Sequence, residues 1–228
     1  MIGIIGAMGI EIKALSELLQ NRITETVSGV SYERGTIFGK EVVLAVCGVG
    51  KVFAAICAQT MILKYAPDVI INTGVAGTLT DALSIGDIAV SENVVQHDMD
   101  TTPSGDQAGL LSGINIVKIP ADKDTCCALE RCIKRQNIHY CTGTIASGDQ
   151  FLASQTVKDR IVQTFGAIAG EMEGGAIGHV CFVNHVPFCV LRAISDRADG
   201  SGAENYFTFL EQAAANAVSV MKQFIQSY

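Results

Sequence analysis

Three carboxylates stand where the chain leaves an apolar run: Glu11 after Ile2–Gly6, Glu173 after Ile168–Met172, and Asp196 after Phe188–Ile194. Carboxylates can give protons, take them, or accept hydrogen bonds from hydroxyl groups. Two of them facing one ligand can divide acid and base work between them. The runs end in glycine or small polar residues. Gly6 leads into Ala7-Met8-Gly9, Cys47 into Gly48-Val49-Gly50, and Thr73 into Gly74-Val75-Ala76-Gly77. Ser147 leads into Gly148-Asp149, Met172 into Glu173-Gly174-Gly175, and Ile194 into Ser195-Asp196. Such ends let a ligand approach the backbone closely, and in open α/β sheets the ligand crevice lies beyond the carboxyl ends of the strands. Each acid also has a plainer use: Glu11 suits the first turn of a helix, Asp196 a cap or turn, and Glu173 the helix that starts at Gly174. Their convergence on strand ends favours a site.

The elements that must position them alternate in type. Strands are expected at Ile2–Gly6, Val42–Cys47, Val69–Thr73, Asp87–Val95, Thr142–Ser147, Ile168–Met172 and Phe188–Ile194. Helices are expected at Ile10–Leu19, Val52–Tyr65, Asp124–Gln136, Thr156–Phe165, Gly174–Asn184 and Glu204–Gln226. This alternation reads as a three-layer α/β/α sandwich with a central mixed, mostly parallel sheet, in one domain spanning 1–228. The segment 72–77 reads as a turn and 97–113 as a long loop.

Composition narrows the partners. Of 228 residues, 49% are hydrophobic and 17% charged, as expected of a sheet buried on both faces. A net charge of −7 without a basic stripe argues against nucleic acid or an anionic membrane. The N-terminus has neither a basic n-region nor a long apolar run, so a cytoplasmic protein is expected. The eight cysteines are scattered through apolar segments and lack CxxC spacing, so they read as reduced thiols and no metal is expected. His97, His139, His179 and His185 have no nucleophile partner in a motif and read as surface or packed residues. The Gly-rich segments at 3–9 and 48–51 complete neither a dinucleotide nor a P-loop motif.

Taken in order, several motifs resemble the bacterial 5′-methylthioadenosine/S-adenosylhomocysteine nucleosidases over nearly the whole chain. They are Gly6-Ala7-Met8 with Glu11, Val49-Gly50-Lys51, Asn72–Gly77, Ser147-Gly148-Asp149-Gln150-Phe151, Glu171-Met172-Glu173-Gly174 and Arg192-Ala193-Ile194-Ser195-Asp196. The last two are specific; the glycine steps alone are not. The resemblance implies the nucleoside phosphorylase/hydrolase fold, a homodimer, an adenine nucleoside as substrate, water as co-substrate and no cofactor. It implies that Asp196 protonates the purine at N7 and that Glu11 is the base for the attacking water. Glu173 holds the ribose hydroxyls with Met172 against the sugar, and Arg192 helps to place the water. Ser195 and the Phe151-Leu152 backbone form the adenine-binding segment, and Met8, Val75 and Tyr206 complete the substrate-binding set.

Purines leave poorly, and their departure creates an oxocarbenium-like cation, which explains why an acid and a base are both wanted. For Asp196 to carry a proton near neutrality its pKa must be raised, by burial or by negative neighbours such as Glu11 and Glu173. Two departures from the resembled family stand out. Val75 occupies a position where relatives often have Ser, and 101–106 lacks the aromatic residues expected near the nucleoside's 5′ group. The rival readings are a nucleoside phosphorylase of the same fold and a non-catalytic nucleoside-binding protein. The first would need basic residues for phosphate, and the second would need neither Glu11 nor Asp196.

Overall fold

In the computed structural model, which describes residues 1–200 and 202–228 but not the side chains of 202–208, the Val- and Ile-rich runs become strands buried on both faces. The elements are β1 (Ile2–Gly6), α1 (Gly9–Ser16), β2 (Gln20–Val27), β3 (Val30–Ile37), β4 (Lys40–Val46), α2 (Lys51–Tyr65), β5 (Val69–Thr78) and β6 (Ile88–Gln96). They continue with β7 (Ile119–Pro120), α3 (Lys123–Arg135), β8 (Tyr140–Ser147), α4 (Gln155–Phe165), β9 (Ala167–Glu171), α5 (Gly174–Val183), β10 (Phe188–Asp196) and α6 (Gly202–Ser227).

Side chains alternate across each strand, and here both faces find a hydrophobic partner. Ile2, Ile4, Val42, Leu44, Val69 and Ile71 pack with Ile12 and Leu15 of α1, Leu129 and Ile133 of α3, and Ala217 and Met221 of α6. Their neighbours Ile5, Val43, Ala45 and Ile70 pack with Ala54 and Met61 of α2 and Ile177 and Cys181 of α5. The result is the expected three-layer arrangement. Ile161 and Phe165 of α4 close a smaller cluster over Leu79, Val95, Ala146 and Leu152.

The strand order is β10-β6-β8-β9-β5-β1-β4-β3-β2, and β10 also pairs with β5. The sheet is therefore mixed, and β5, β10, β6, β8 and β9 close into a ring from which the other strands fan out. β1 runs parallel to β4 and β5, and β10 runs parallel to β5 with Arg192 opposite Gly74 and Asp196 opposite Gly77. β5 and β9 meet antiparallel at Gly77 and Gly170. Closing the ring brings the ends of β5, β9 and β10 together beside the first turn of α1.

Several features differ from the sequence expectation, β7 among them. The segment 72–77 is the buried second half of β5, not a turn. β2 and β3 form an unexpected hairpin at the sheet edge. α1 stops at Ser16 rather than Leu19. The eight cysteines are free thiols, six of them buried. No helix among the described residues is long and apolar enough to cross a membrane.

Candidate active site

The site begins where β1 runs into α1. Glu11 lies in the first turn of that helix and folds back on the strand end. Its Oε2 accepts from the N–H groups of Ala7 (2.8 Å) and Met8 (2.9 Å), and its Oε1 accepts from Val75 (3.1 Å). Besides its plainer use in the first turn of a helix, Glu11 thus ties α1 to β5. Burial pushes its carboxyl above the usual range, against the pull of Arg192 and of these three amides. Gly74 makes the arrangement possible, because a Cβ there would collide with the Arg192 guanidinium and the Glu11 carboxylate.

Arg192 projects from β10 and is fully buried. Its Nη2 donates to Asn72 Oδ1 and Glu171 Oε2, and Glu173 Oε2 lies 3.5 Å away. Asn72 is held in turn by donating to the Ile5 carbonyl at 2.9 Å. Arg192 was expected beside the attacking water, but it does not line the pocket; it stands behind the wall as the counter-charge for the acids. Glu171, for which the sequence suggested no role, is central here. Its Oε2 also accepts from the N–H groups of Glu173 (3.0 Å) and Gly174 (2.8 Å), capping α5, and its Oε1 accepts from Ser147 Oγ. Glu173 Oε1 accepts from Gly50 N–H at 2.9 Å, just before α2. Burial, with Glu171 close by, pushes the Glu173 carboxyl up to about 7 despite Arg192.

Asp196 ends β10. Its Oδ1 accepts from Ala198 N–H (2.9 Å) and its Oδ2 from Ser195 Oγ (3.0 Å). Burial raises its carboxyl, against those two hydrogen bonds. The neighbouring carboxylate that adds to the rise is Asp199, rather than Glu11 or Glu173 as expected.

One pocket gathers these groups. Its wall contains Met8, Glu11, Val75, Phe151, Leu152, Met172, Glu173, Ser195 and Asp196, together with Glu171, Gln150, Val49 and backbone from Gly77 and Gly170. Tyr206 lies outside the described side chains. None of the four histidines is on the wall, and among the described residues neither is any lysine or arginine. His97 is buried against Gly148, His179 faces Gln96, and the exposed His139 meets Asp87. A slot with apolar sides and a cluster of carboxylates suits a flat, neutral, hydroxyl-bearing ligand on which positive charge develops. It does not suit a phosphate.

Residues 1–228 match the family described as the phosphorylase superfamily. The chain is 39% identical over 227 residues, 99% of either sequence, to the 5′-methylthioadenosine/S-adenosylhomocysteine nucleosidase of Staphylococcus haemolyticus. It is similar to the crystal structure of the nucleosidase of that name from Neisseria meningitidis in complex with methylthio-immucillin-A. The TM-score is 0.96 at 33% identity, covering 100% of this chain and 99% of the other. The Colwellia psychrerythraea nucleosidase in complex with adenine gives a TM-score of 0.94 at 33% identity, over 98% of this chain and 93% of the other.

Proposed function

The chain belongs to the 5′-methylthioadenosine/S-adenosylhomocysteine nucleosidases of the phosphorylase superfamily, and from that premise we propose that it hydrolyses 5′-thio-substituted adenine nucleosides and releases adenine. The observation that carries the reading is two buried carboxylates, Glu11 and Asp196, on the wall of one largely apolar pocket. In the proposed reaction the bond between C1′ and N9 breaks and its electron pair passes to the purine. Asp196 delivers a proton to N7. Glu11 takes a proton from water as the oxygen bonds to C1′, and both acids re-equilibrate with solvent. Glu173 accepts from the ribose hydroxyls, Met8, Val75 and Met172 pack on the sugar, and Phe151, Leu152 and Ser195 flank the adenine. Tyr206 belongs to the same set by resemblance. Arg192 acts through the acids it pairs with.

A phosphorolytic reaction is the rival, and the wall disfavours it. An incoming phosphate would meet Glu11, Glu171 and Glu173, and the buried guanidinium behind them is committed to carboxylates. Turnover of methylthioadenosine is expected to be indifferent to inorganic phosphate and to yield free 5-methylthioribose. A pentose 1-phosphate as the main product would overturn hydrolysis.

We also propose a homodimer in the cytoplasm. Besides the resemblance, Val52, Ile56 and Leu63 form an exposed stripe along α2, with Phe53 beside it 56% exposed. Large apolar side chains grouped on one surface mark an interaction site. Light scattering should give twice the chain mass of 24.1 kDa, and replacing Ile56 by Asp should shift the species toward the monomer. A monomer in the unaltered protein would count against the dimer.

A further inference from the structure

Lys158 lies on α4, outside the pocket, yet its ammonium reaches the turn that carries Asp196. Its Nζ donates to the Thr78 carbonyl at 2.9 Å and to the Arg197 carbonyl at 2.8 Å. Thr78 is the last residue of β5 and follows Gly77, the register partner of Asp196. Arg197 follows Asp196 directly. One side chain thus bridges the ends of the two strands that frame this part of the site.

The second contact matters more. The Arg197 carbonyl and the Ala198 N–H are opposite ends of one peptide group. Lys158 holds the carbonyl, and the N–H donates to Asp196 Oδ1 at 2.9 Å. A cation on a carbonyl oxygen polarises the peptide and strengthens the bond its N–H makes, as in any hydrogen-bonded chain. Ala198 adopts φ 56°, the left-handed region that a residue with a Cβ disfavours by roughly 1–2 kcal/mol. This turn therefore needs an external hold, and Lys158 supplies one.

We propose that Lys158 is a positioning residue for the proton transfer, fixing the 196–198 turn so that Asp196 Oδ1 stays an acceptor and Oδ2 faces the leaving group with the proton. The proposal rests on the acid role given to Asp196. Lys158 also opposes the rise in the Asp196 carboxyl that burial imposes. The other charged groups around Asp196, among the described residues, are Arg197 and Asp199 on its own turn, Glu11 of α1, Glu171 and Glu173 at the end of β9, and Arg192 of β10. Of these, Asp199 disfavours ionisation of Asp196, and Lys158 is the cation on the backbone that favours it.

The test compares Lys158→Met, Lys158→Gln and Lys158→Arg with the unaltered protein and with Asp196→Asn. Two substrates are used: methylthioadenosine, whose purine needs a proton to leave, and a 4-nitrophenyl riboside, whose phenolate does not. Lys158→Met is expected to lower kcat on methylthioadenosine by about 10–100-fold, the scale of a misplaced catalytic group, with KM within roughly twofold of the unaltered value. The alkaline limb of kcat/KM should move to higher pH, because losing the cation makes Asp196 hold its proton more tightly. Activity on the nitrophenyl riboside should be nearly unchanged, and Lys158→Arg should restore most of kcat. If Lys158→Met does not fold, Lys158→Gln keeps a donor without the charge and must still move the alkaline limb. Equal losses on both substrates, or an unmoved alkaline limb, would overturn the inference. Asp196→Asn separates the two failures. If it is impaired only on methylthioadenosine while Lys158→Met is unaffected, the positioning role alone falls; if it turns methylthioadenosine over normally, the acid reading falls first.

Discussion

Asp196→Asn is expected to lower turnover of methylthioadenosine by about two to four powers of ten, the usual range for losing a general acid. The amide has the shape of the carboxyl and can still accept from Ala198 N–H, so the 196–198 turn should survive. What it lacks is a proton to give. Nucleoside binding should therefore persist, because the loss falls on the transition state. Glu11→Gln should cost a comparable amount for a different reason: it can orient a water but cannot take its proton. The two variants should part company on a 4-nitrophenyl riboside. Asp196→Asn should recover most of its activity there, and Glu11→Gln should stay slow because the water still needs a base. An Asp196→Asn variant equally impaired on both substrates would remove leaving-group protonation from Asp196.

That pair of acids was legible in the sequence because each follows an apolar run, and strand ends are where α/β sheets bind ligands. The hairpin of β2 and β3 was not. β2 is exposed along nearly its whole length, so it carries no apolar signal. The signal that existed was local: Ser28-Gly29 between Val27 and Val30, both residues at positive φ, which is a two-residue hairpin turn. Val30 and Tyr32 then alternate inward along β3. The glycines of 72–77 misled in the opposite direction. They suggest a turn, but in β5 they leave room for other residues' side chains, Gly74 for Arg192 and Glu11, and Gly77 for Asp196. Burial was one of the two expected sources of the Asp196 shift, and it is the main one; the acid that adds to it is Asp199 on the same turn, not Glu11 or Glu173. How deeply Asp196 is buried depends on how the ring of strands closes, which no local pattern encodes. The same holds for Arg192, whose spacing within its motif says nothing about which side of the wall it occupies.

Arg192→Met is expected to be the most damaging change to the fold itself, with a loss that depends on pH. Met approximates the length of the side chain without the charge, and the position is wholly buried. Removing one partner from a buried ionic cluster typically costs about 3–5 kcal/mol, because the remaining charges are left uncompensated. Here the remaining charges are carboxylates: Glu171, paired directly, Glu173 at 3.5 Å, and Glu11, which also feels the guanidinium. The folded carboxyls of Glu11 and Glu173 already lie above the unfolded value of about 4.3. Across that interval the folded state holds more protons than the unfolded one, so these groups favour folding at low pH and that support is lost as pH rises through the folded pKa. Without Arg192 both carboxyls should rise further, so the ionised forms become costlier still near neutrality. Urea unfolding at pH 8 should therefore show the full deficit relative to the unaltered protein, and at pH 5.5 a clearly smaller one, because the Glu173 carboxyl, up at about 7, is then protonated and the raised Glu11 carboxyl acts in the same direction. A deficit of equal size at both pH values would mean that Arg192 supports the fold by filling space and not by neutralising the acids around the pocket.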